Sequence, residues 1–161
     1  MDPQVKALSI PDSKLPYPDS FFGRAKHLVW RGVYPVYTDL RDVLLALHVI
    51  RHDVRQPYVL GKLAPGRDIW DFIKYLESVG FANHFVAWMD DGQLLGVRRP
   101  DGFEWQYHIR IFKDGEVRGH YEYTPESHPI RHIKELGMEA RREDFLKFLG
   151  DWITPSSEPQ A

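Results

Sequence analysis

The most regular alternation of apolar and polar residues covers positions 105–123 and is interrupted by Lys113-Asp114-Gly115. A period of two is typical of β-strands, in which successive side chains point to opposite faces of the sheet. A three-residue loop with Gly115 in the left-handed region would pair Phe112 with Glu116 and leave one face free of charged side chains. A two-residue Asp-Gly turn would instead mix apolar and charged side chains on both faces. Because burial of one face specifies register, the sequence predicts a hairpin with the three-residue loop.

The two faces of this predicted hairpin differ in chemistry. One face would be apolar and largely aromatic: Trp105, Tyr107, Ile109, Ile111, Val117, Gly119, Tyr121 and Tyr123. The other would be polar, with three directly opposed pairs: His108 and His120, Arg110 and Arg118, Gln106 and Glu122.

The same turn signal occurs twice upstream, as Asp90-Asp91-Gly92 and as Pro100-Asp101-Gly102. The same loop geometry would pair Met89 with Gln93 and Arg99 with Phe103. This register extends the apolar face over four strands. It places His84 and Arg98 on the side of His108 and His120. The pattern therefore predicts a four-stranded antiparallel meander from residue 81 to residue 123.

The segments before the meander are more varied. Residues 1–23 are rich in proline and predict an extended N-terminal arm. A strand is expected within residues 24–35, and a helix over residues 39–51. Residues 58–60 predict a short edge strand or a loop. The apolar spacing of residues 68–79, with Asp68 as N-cap and Gly80 as the stop, predicts a further helix.

After the meander, Ser127 is a candidate cap for a short helix that Gly137 ends. A last amphipathic helix is predicted from near Ala140 to Ile153. Residues 154–161 predict a disordered tail by composition. The expected fold is thus a single α+β domain over residues 24–153. In it, a four-stranded antiparallel meander would carry N-terminal and C-terminal helices on its aromatic face.

Composition narrows the function classes. The 161-residue chain has no cysteine, which excludes disulfides, thiol catalysis and cysteine metal sites. Its net charge of −2 gives no bulk attraction for nucleic acid, so such binding would need a local basic patch. No apolar run approaches the roughly 18 residues of a membrane span, and residues 1–4 do not resemble a signal peptide. A cytoplasmic protein without a membrane partner is expected.

The polar face carries the candidate chemistry. Directly opposed side chains have Cβ atoms roughly 5 Å apart, so His108 and His120 could contact one phosphate, one water or one metal ion. In the first hypothesis, these two histidines are the catalytic acid and base of phosphodiester cleavage. The substrate would be held by polar residues around them: Arg98, Gln106, Arg110, Arg118 and Glu122. Such an enzyme would be a metal-independent ribonuclease or phosphodiesterase without a cofactor.

Two alternatives stay open. His108, His120 and Glu122 could form a two-histidine, one-carboxylate site for a divalent metal, although the nearby arginines would repel a dication. The polar face could also be a non-catalytic surface that binds a protein partner. Three further histidines are secondary candidates for either chemistry: His84, His128 and His132.

The predicted order of elements resembles that of RelE-type ribonuclease toxins: a strand, two helices, an antiparallel meander and a C-terminal helix. Those toxins place basic residues and a proton-transfer group on the sheet, so the resemblance implies RNA or a nucleotide as partner. It covers element order only and assigns no role to any residue. The chain is also longer and slightly acidic, whereas those toxins are small and usually basic.

Overall fold

The computed structural model describes residues 58–83, 90–124, 127 and 138–157, together with single residues and pairs between positions 21 and 48. The described residues form an α+β fold with one antiparallel sheet and two helices of defined extent. In chain order, the elements are β1 Tyr58–Leu63, α1 Ile69–Ser78, β2 Ala82–Asn83, β3 Gln93–Asp101, β4 Trp105–Phe112, β5 Glu116–Tyr123, α2 Met138–Leu149 and β6 Ile153–Pro155. A short 3₁₀ turn, Gly150–Trp152, joins α2 to β6.

The sheet has six strands in the order β2-β3-β4-β5-β1-β6, so the prediction of a four-stranded sheet was wrong in strand number. Residues 58–60, expected as an edge strand or a loop, begin a strand that pairs with β5 on one side and β6 on the other. The close approach of β6 depends on Gly61, because a Cβ atom at that position would collide with the carbonyl oxygen of Thr154. The pairing of β1 with β6 is set by segments that are distant in the sequence, and the local alternation of apolar and polar residues does not indicate it.

The register predicted for the β4–β5 hairpin is confirmed. His108 lies opposite His120, Arg110 opposite Arg118, and Gln106 opposite Glu122. Gly115 has a φ of 82°, and its amide donates to the carbonyl of Phe112. The left-handed glycine closes the three-residue loop as predicted.

The β3–β4 register differs from the prediction by four residues. Asp101 pairs with Trp105, so the loop consists of residues 102–104 and Arg98 lies directly opposite His108. Contacts from the next strand hold this longer hairpin, because the Tyr121 hydroxyl donates to Asp101 Oδ2 over 2.7 Å. The displacement is an even number of residues, so the side chains of β3 from Leu95 onward keep their predicted faces, whereas a register shift between Gln93 and Leu95 pairs Gln93 with Phe112.

The strand predicted before β3 can be checked only at its beginning. Ala82 pairs with Arg98, where the predicted register has His84. Residues 84–89, including Met89 and its expected pairing with Gln93, lie outside the described residues.

The aromatic face of the sheet carries the core, and both described helices pack on it. Helix α1 begins at its predicted cap, where Asp68 accepts from two backbone amides, and it contributes Phe72 and Leu76. Helix α2 contributes Phe145 and Leu149, which are fully buried. Their apolar stripes bury against the strands, as the helical spacing predicts.

The end of the chain was predicted incorrectly. Helix α2 ends at Leu149, and Ile153, expected in that helix, begins β6. Thr154 and Pro155, expected in a disordered tail, also belong to β6. The reason is tertiary: the second edge of β1 offers backbone partners, and Ser156 Oγ donates to the carbonyl of Val59 over 2.8 Å.

The described N-terminal positions also correct the prediction. Those within 24–35 are helical rather than extended. Phe21 and Phe22, placed in the extended arm, are helical too. The described positions of the predicted helix 39–51 are helical up to Ala46, and His48 has a φ of 57°.

Several apolar side chains between residues 21 and 47 are at least half exposed: Phe21, Phe22, Leu28, Val29, Val36, Leu40, Val43 and Leu47. Of the predicted N-terminal helices, only α1 therefore packs on the aromatic face among the described residues.

Candidate functional site

The polar face of the central strands is buried around the two histidines. Arg98, Gln106, His108, His120 and Glu122 are each at most 3% exposed. Burial of this many ionisable and polar side chains is costly unless they bind one another or a ligand. The sequence places these residues on one face correctly, but their enclosure could not be read from the alternation.

Three of these residues form what we call the histidine–glutamate cluster: His108 on β4, with His120 and Glu122 on β5. The cross-strand pairing sets the two histidines side by side, and Glu122 follows on the same face of β5. Nδ1 of His108 lies 2.9 Å from Nε2 of His120. The carboxylate of Glu122 is 3.1 Å from His120 Nε2 through Oε2, and 3.6 Å from His108 Nδ1 through Oε1.

The short separation of the two ring nitrogens restricts where protons can lie. Two lone pairs cannot face each other at 2.9 Å, so either one nitrogen carries a proton or a cation binds between them. A proton on His120 Nε2 can be donated both to His108 Nδ1 and to Glu122 Oε2, which gives each of the three atoms a hydrogen-bond partner. The cluster is therefore suited to holding one positive species, either a proton or a metal ion, at its centre.

A chain of polar contacts leads away from the cluster. Gln106 Nε2 donates to Glu122 Oε1 over 2.6 Å, and Arg98 Nη1 donates to Gln106 Oε1 over 3.2 Å. Both residues were predicted for this face, but as direct ligands of a substrate. The structure instead shows contacts from Arg98 to Gln106 and from Gln106 to Glu122.

The other two predicted arginines are engaged with acidic neighbours. Arg110 Nη1 donates to Asp90 Oδ2 over 2.5 Å. Arg118 donates to the carboxylate of Glu116, and its guanidinium lies over the ring of Phe112. Asp90 was missed as a partner because it lies 20 residues from Arg110 in the sequence; its only signal was a charge opposite to that of the arginines.

The three secondary histidines, His84, His128 and His132, lie outside the described residues. Their predicted proximity to the cluster stays a prediction. Within the described part of the chain, the structure brings together five of the seven principal candidates: Arg98, Gln106, His108, His120 and Glu122. Contacts to acidic neighbours hold the other two, Arg110 and Arg118.

Comparisons of the chain with known protein families, curated proteins and solved structures found no match. Neither α1 nor α2, the helices of defined extent in the described residues, is long and apolar enough to cross a membrane.

Proposed function

We propose that this protein binds a divalent transition-metal ion through His108, His120 and Glu122. The observation that supports the proposal is the convergence of one ligand atom from each residue within 4.8 Å, with all three side chains buried. Two ligands bound roughly 2.1 Å from a metal at 90–109° lie roughly 3.0–3.4 Å apart. The 2.9 Å between the two ring nitrogens and the 3.1 Å from His120 Nε2 to Glu122 Oε2 are close to that range, and the other oxygen, Oε1, lies 3.6 Å from His108 Nδ1.

The donor types narrow the choice of ion. Two imidazole nitrogens and one carboxylate oxygen suit zinc, iron(II) or cobalt(II), whereas calcium and magnesium prefer ligand sets made of oxygen. Three protein ligands leave at least one coordination position for water or a further ligand. A metal ion at the centre would also replace the proton that otherwise separates the two ring nitrogens.

The phosphodiester hypothesis has weaker support from the contacts. It needs arginines directed at a phosphate beside His108 and His120, but Arg110 and Arg118 bind carboxylates instead. Arg98 lies opposite His108 but donates to Gln106. We therefore treat phosphate binding as an outcome that the experiment must distinguish from metal binding.

Calorimetric titration of the chelator-treated protein with zinc chloride tests the proposal. One ion should bind per chain, and thermal unfolding should shift upward. At a free ion concentration 100 times the Kd, the stabilisation is about 2.7 kcal/mol. For a domain of this size, that corresponds to a Tm increase of roughly 5–11 °C.

Two variants on strand β5 form a matched pair. Glu122→Gln keeps the shape of the side chain but removes the ionised oxygen, so the zinc-dependent Tm shift should be lost. Glu116→Gln is the same substitution in the same strand, outside the histidine–glutamate cluster, and the shift should persist. Equal shifts in both variants would show that zinc binds elsewhere.

NMR spectra of the histidine rings distinguish the alternatives. Zinc should move the ring signals of His108 and His120, and inorganic phosphate or a mononucleotide should leave them in place. If phosphate moves both signals and zinc moves neither, the phosphodiester hypothesis replaces the metal proposal. If neither ligand moves them, the cluster is a structural hydrogen-bond network.

A further inference from the structure

The two oxygens of Glu122 have different neighbours. Oε1 accepts a hydrogen bond from Gln106 Nε2 over 2.6 Å, a short distance for an amide donor. Oε2 lies 3.1 Å from the ring nitrogen of His120. Oε1 also lies 3.6 Å from His108 Nδ1, so the carboxylate has one oxygen occupied by the amide donor and the other directed at His120 alone.

The orientation of the Gln106 amide is fixed by its second contact. Its Oε1 accepts from Arg98 Nη1, and a guanidinium can only donate hydrogen bonds. An ionised carboxylate can only accept them. Rotating the amide by 180° would place oxygen against the oxygen of Glu122 and nitrogen against the nitrogen of Arg98. The chain Arg98–Gln106–Glu122 therefore holds together in one orientation.

The register of β3 and β4 makes this chain possible. Arg98 lies opposite His108 and Pro100 lies opposite Gln106, so the side chain of Arg98 reaches Gln106 diagonally across the two strands. The neutral amide stands between the guanidinium and the carboxylate. It links the two charges while leaving Glu122 Oε2 directed at His120.

We infer that Gln106 is a positioning residue that makes Glu122 a one-oxygen metal ligand, and that Arg98 holds Gln106 in the required orientation. This inference rests on the proposed metal-binding function and specifies how the site selects its ion. One-oxygen binding by Glu122 keeps the coordination number low, which favours four-coordinate zinc or cobalt(II). Two-oxygen binding would add a ligand and favour larger coordination numbers.

Cobalt(II) is a suitable probe because its visible absorption is intense in four-coordinate sites and falls as the coordination number rises. The test variant is Arg98→Met/Gln106→Met. It removes both members of the Arg98–Gln106 hydrogen bond together, so that neither polar side chain remains in the core without the other. Its cobalt Kd should rise by roughly 10–100-fold, a magnitude typical of removing a group that orients a metal ligand. The visible absorption per bound cobalt should also fall.

Gln93→Met is the matched control. Gln93 is also a buried glutamine, 5% exposed, but its side chain binds the backbone amide of Asp90 rather than Glu122. Its cobalt Kd and spectrum should equal those of the unmodified protein, even if the Tm of its metal-free form falls. A purely structural role for Gln106 would lower the metal-free Tm and leave the cobalt spectrum unchanged.

Infrared spectroscopy of the unmodified protein gives a second test that does not depend on the folding of a variant. In the spectrum of the zinc-loaded protein minus the metal-free protein, one-oxygen binding should separate the two carboxylate stretching bands widely. A narrow separation would indicate two-oxygen binding and overturn the inference.

The two proposals fail in distinguishable ways. Absence of cobalt binding to the unmodified protein would overturn both. Normal cobalt binding, with the same Kd and spectrum in the double variant, would overturn the positioning role alone.

Discussion

Gly119 offers a strict test of how β5 packs against the core. It lies between the two candidate-site residues Arg118 and His120, on the opposite, apolar face of the strand, and pairs with Ile109 on β4 and Tyr58 on β1. A Cβ atom at this position would come within 2.7 Å of Leu60 Cδ1 and within 2.9 Å of Phe145 Cε1. Both neighbours are fully buried, so neither can move aside into solvent.

The expected cost of Gly119→Ala follows from this crowding. Inserting a methyl group into a packed core typically costs about 1–3 kcal/mol, because neighbouring side chains leave their preferred rotamers. For a chain of 161 residues, this lowers the Tm by roughly 2–12 °C. Thermal and urea unfolding, followed by circular dichroism on metal-free protein, would measure the loss.

A double-mutant cycle isolates the proposed clash. Leu60→Ala removes the side chain closest to the new methyl group, so Gly119→Ala/Leu60→Ala should be more stable than the sum of the single losses predicts, by about 0.5–3 kcal/mol. Gly32→Ala is the control, because no heavy atom lies within 4 Å of its added Cβ. A Gly119→Ala protein that unfolds like the unmodified protein would refute the packing described for β5.

Three further predictions concern the fold. Ile109→Ala should lower the free energy of unfolding by about 2–5 kcal/mol in urea titrations, because a fully buried side chain leaves a cavity. Gly61→Ala should separate β6 from β1 through its clash with Thr154, which faster proteolysis after α2 would detect. Arg141 donates a hydrogen bond to Asp144 and holds the pKa of that carboxyl below its usual range. The stabilisation that this ionised carboxyl contributes should therefore be present above its unfolded-state pKa of about 3.9. It should be lost as the pH falls through the lower pKa of Asp144 in the folded state. Acid unfolding of Asp144→Asn should show a correspondingly smaller loss of stability over that range.

The parts of the fold that the sequence predicted depend on local chemistry. The β4–β5 register follows from a left-handed Gly115 and from the need to bury one apolar face. The turn sequence indicates the first, and the alternation of apolar and polar residues indicates the second. Helix α1 was predicted for the same kind of reason, since Asp68 and Gly80 mark its ends.

The errors arise where distant residues decide the structure. The β3–β4 loop begins at Gly102 rather than at Pro100, because Tyr121, two strands away, binds Asp101 and keeps it in β3. Strand β6 forms from residues with a weak strand pattern, because β1 presents a second edge. No local pattern reports either contact.

The candidate site also combines features that local residues predict with features that distant residues decide. The juxtaposition of His108, His120 and Glu122 follows from register and was predicted from the sequence. The role of Arg110 was not, because a positive charge on a strand does not say which carboxylate it will bind. The interposition of Gln106 between Arg98 and Glu122 depends on the corrected β3–β4 register.

The position of β1 inside the sheet has a consequence for the order of assembly. The β4–β5 hairpin closes a loop of a few residues, whereas the contact of Ser156 with Val59 spans 97 residues. The difference is about five doublings of loop length, or roughly 3 kcal/mol of additional closure entropy. Strand β1 and the β6 strand that depends on it should therefore join a meander that has already formed. In native-state hydrogen exchange, the amides of β6 should open before those of β4 and β5, so the chain can loosen at this edge while the strands that hold the histidine–glutamate cluster stay paired.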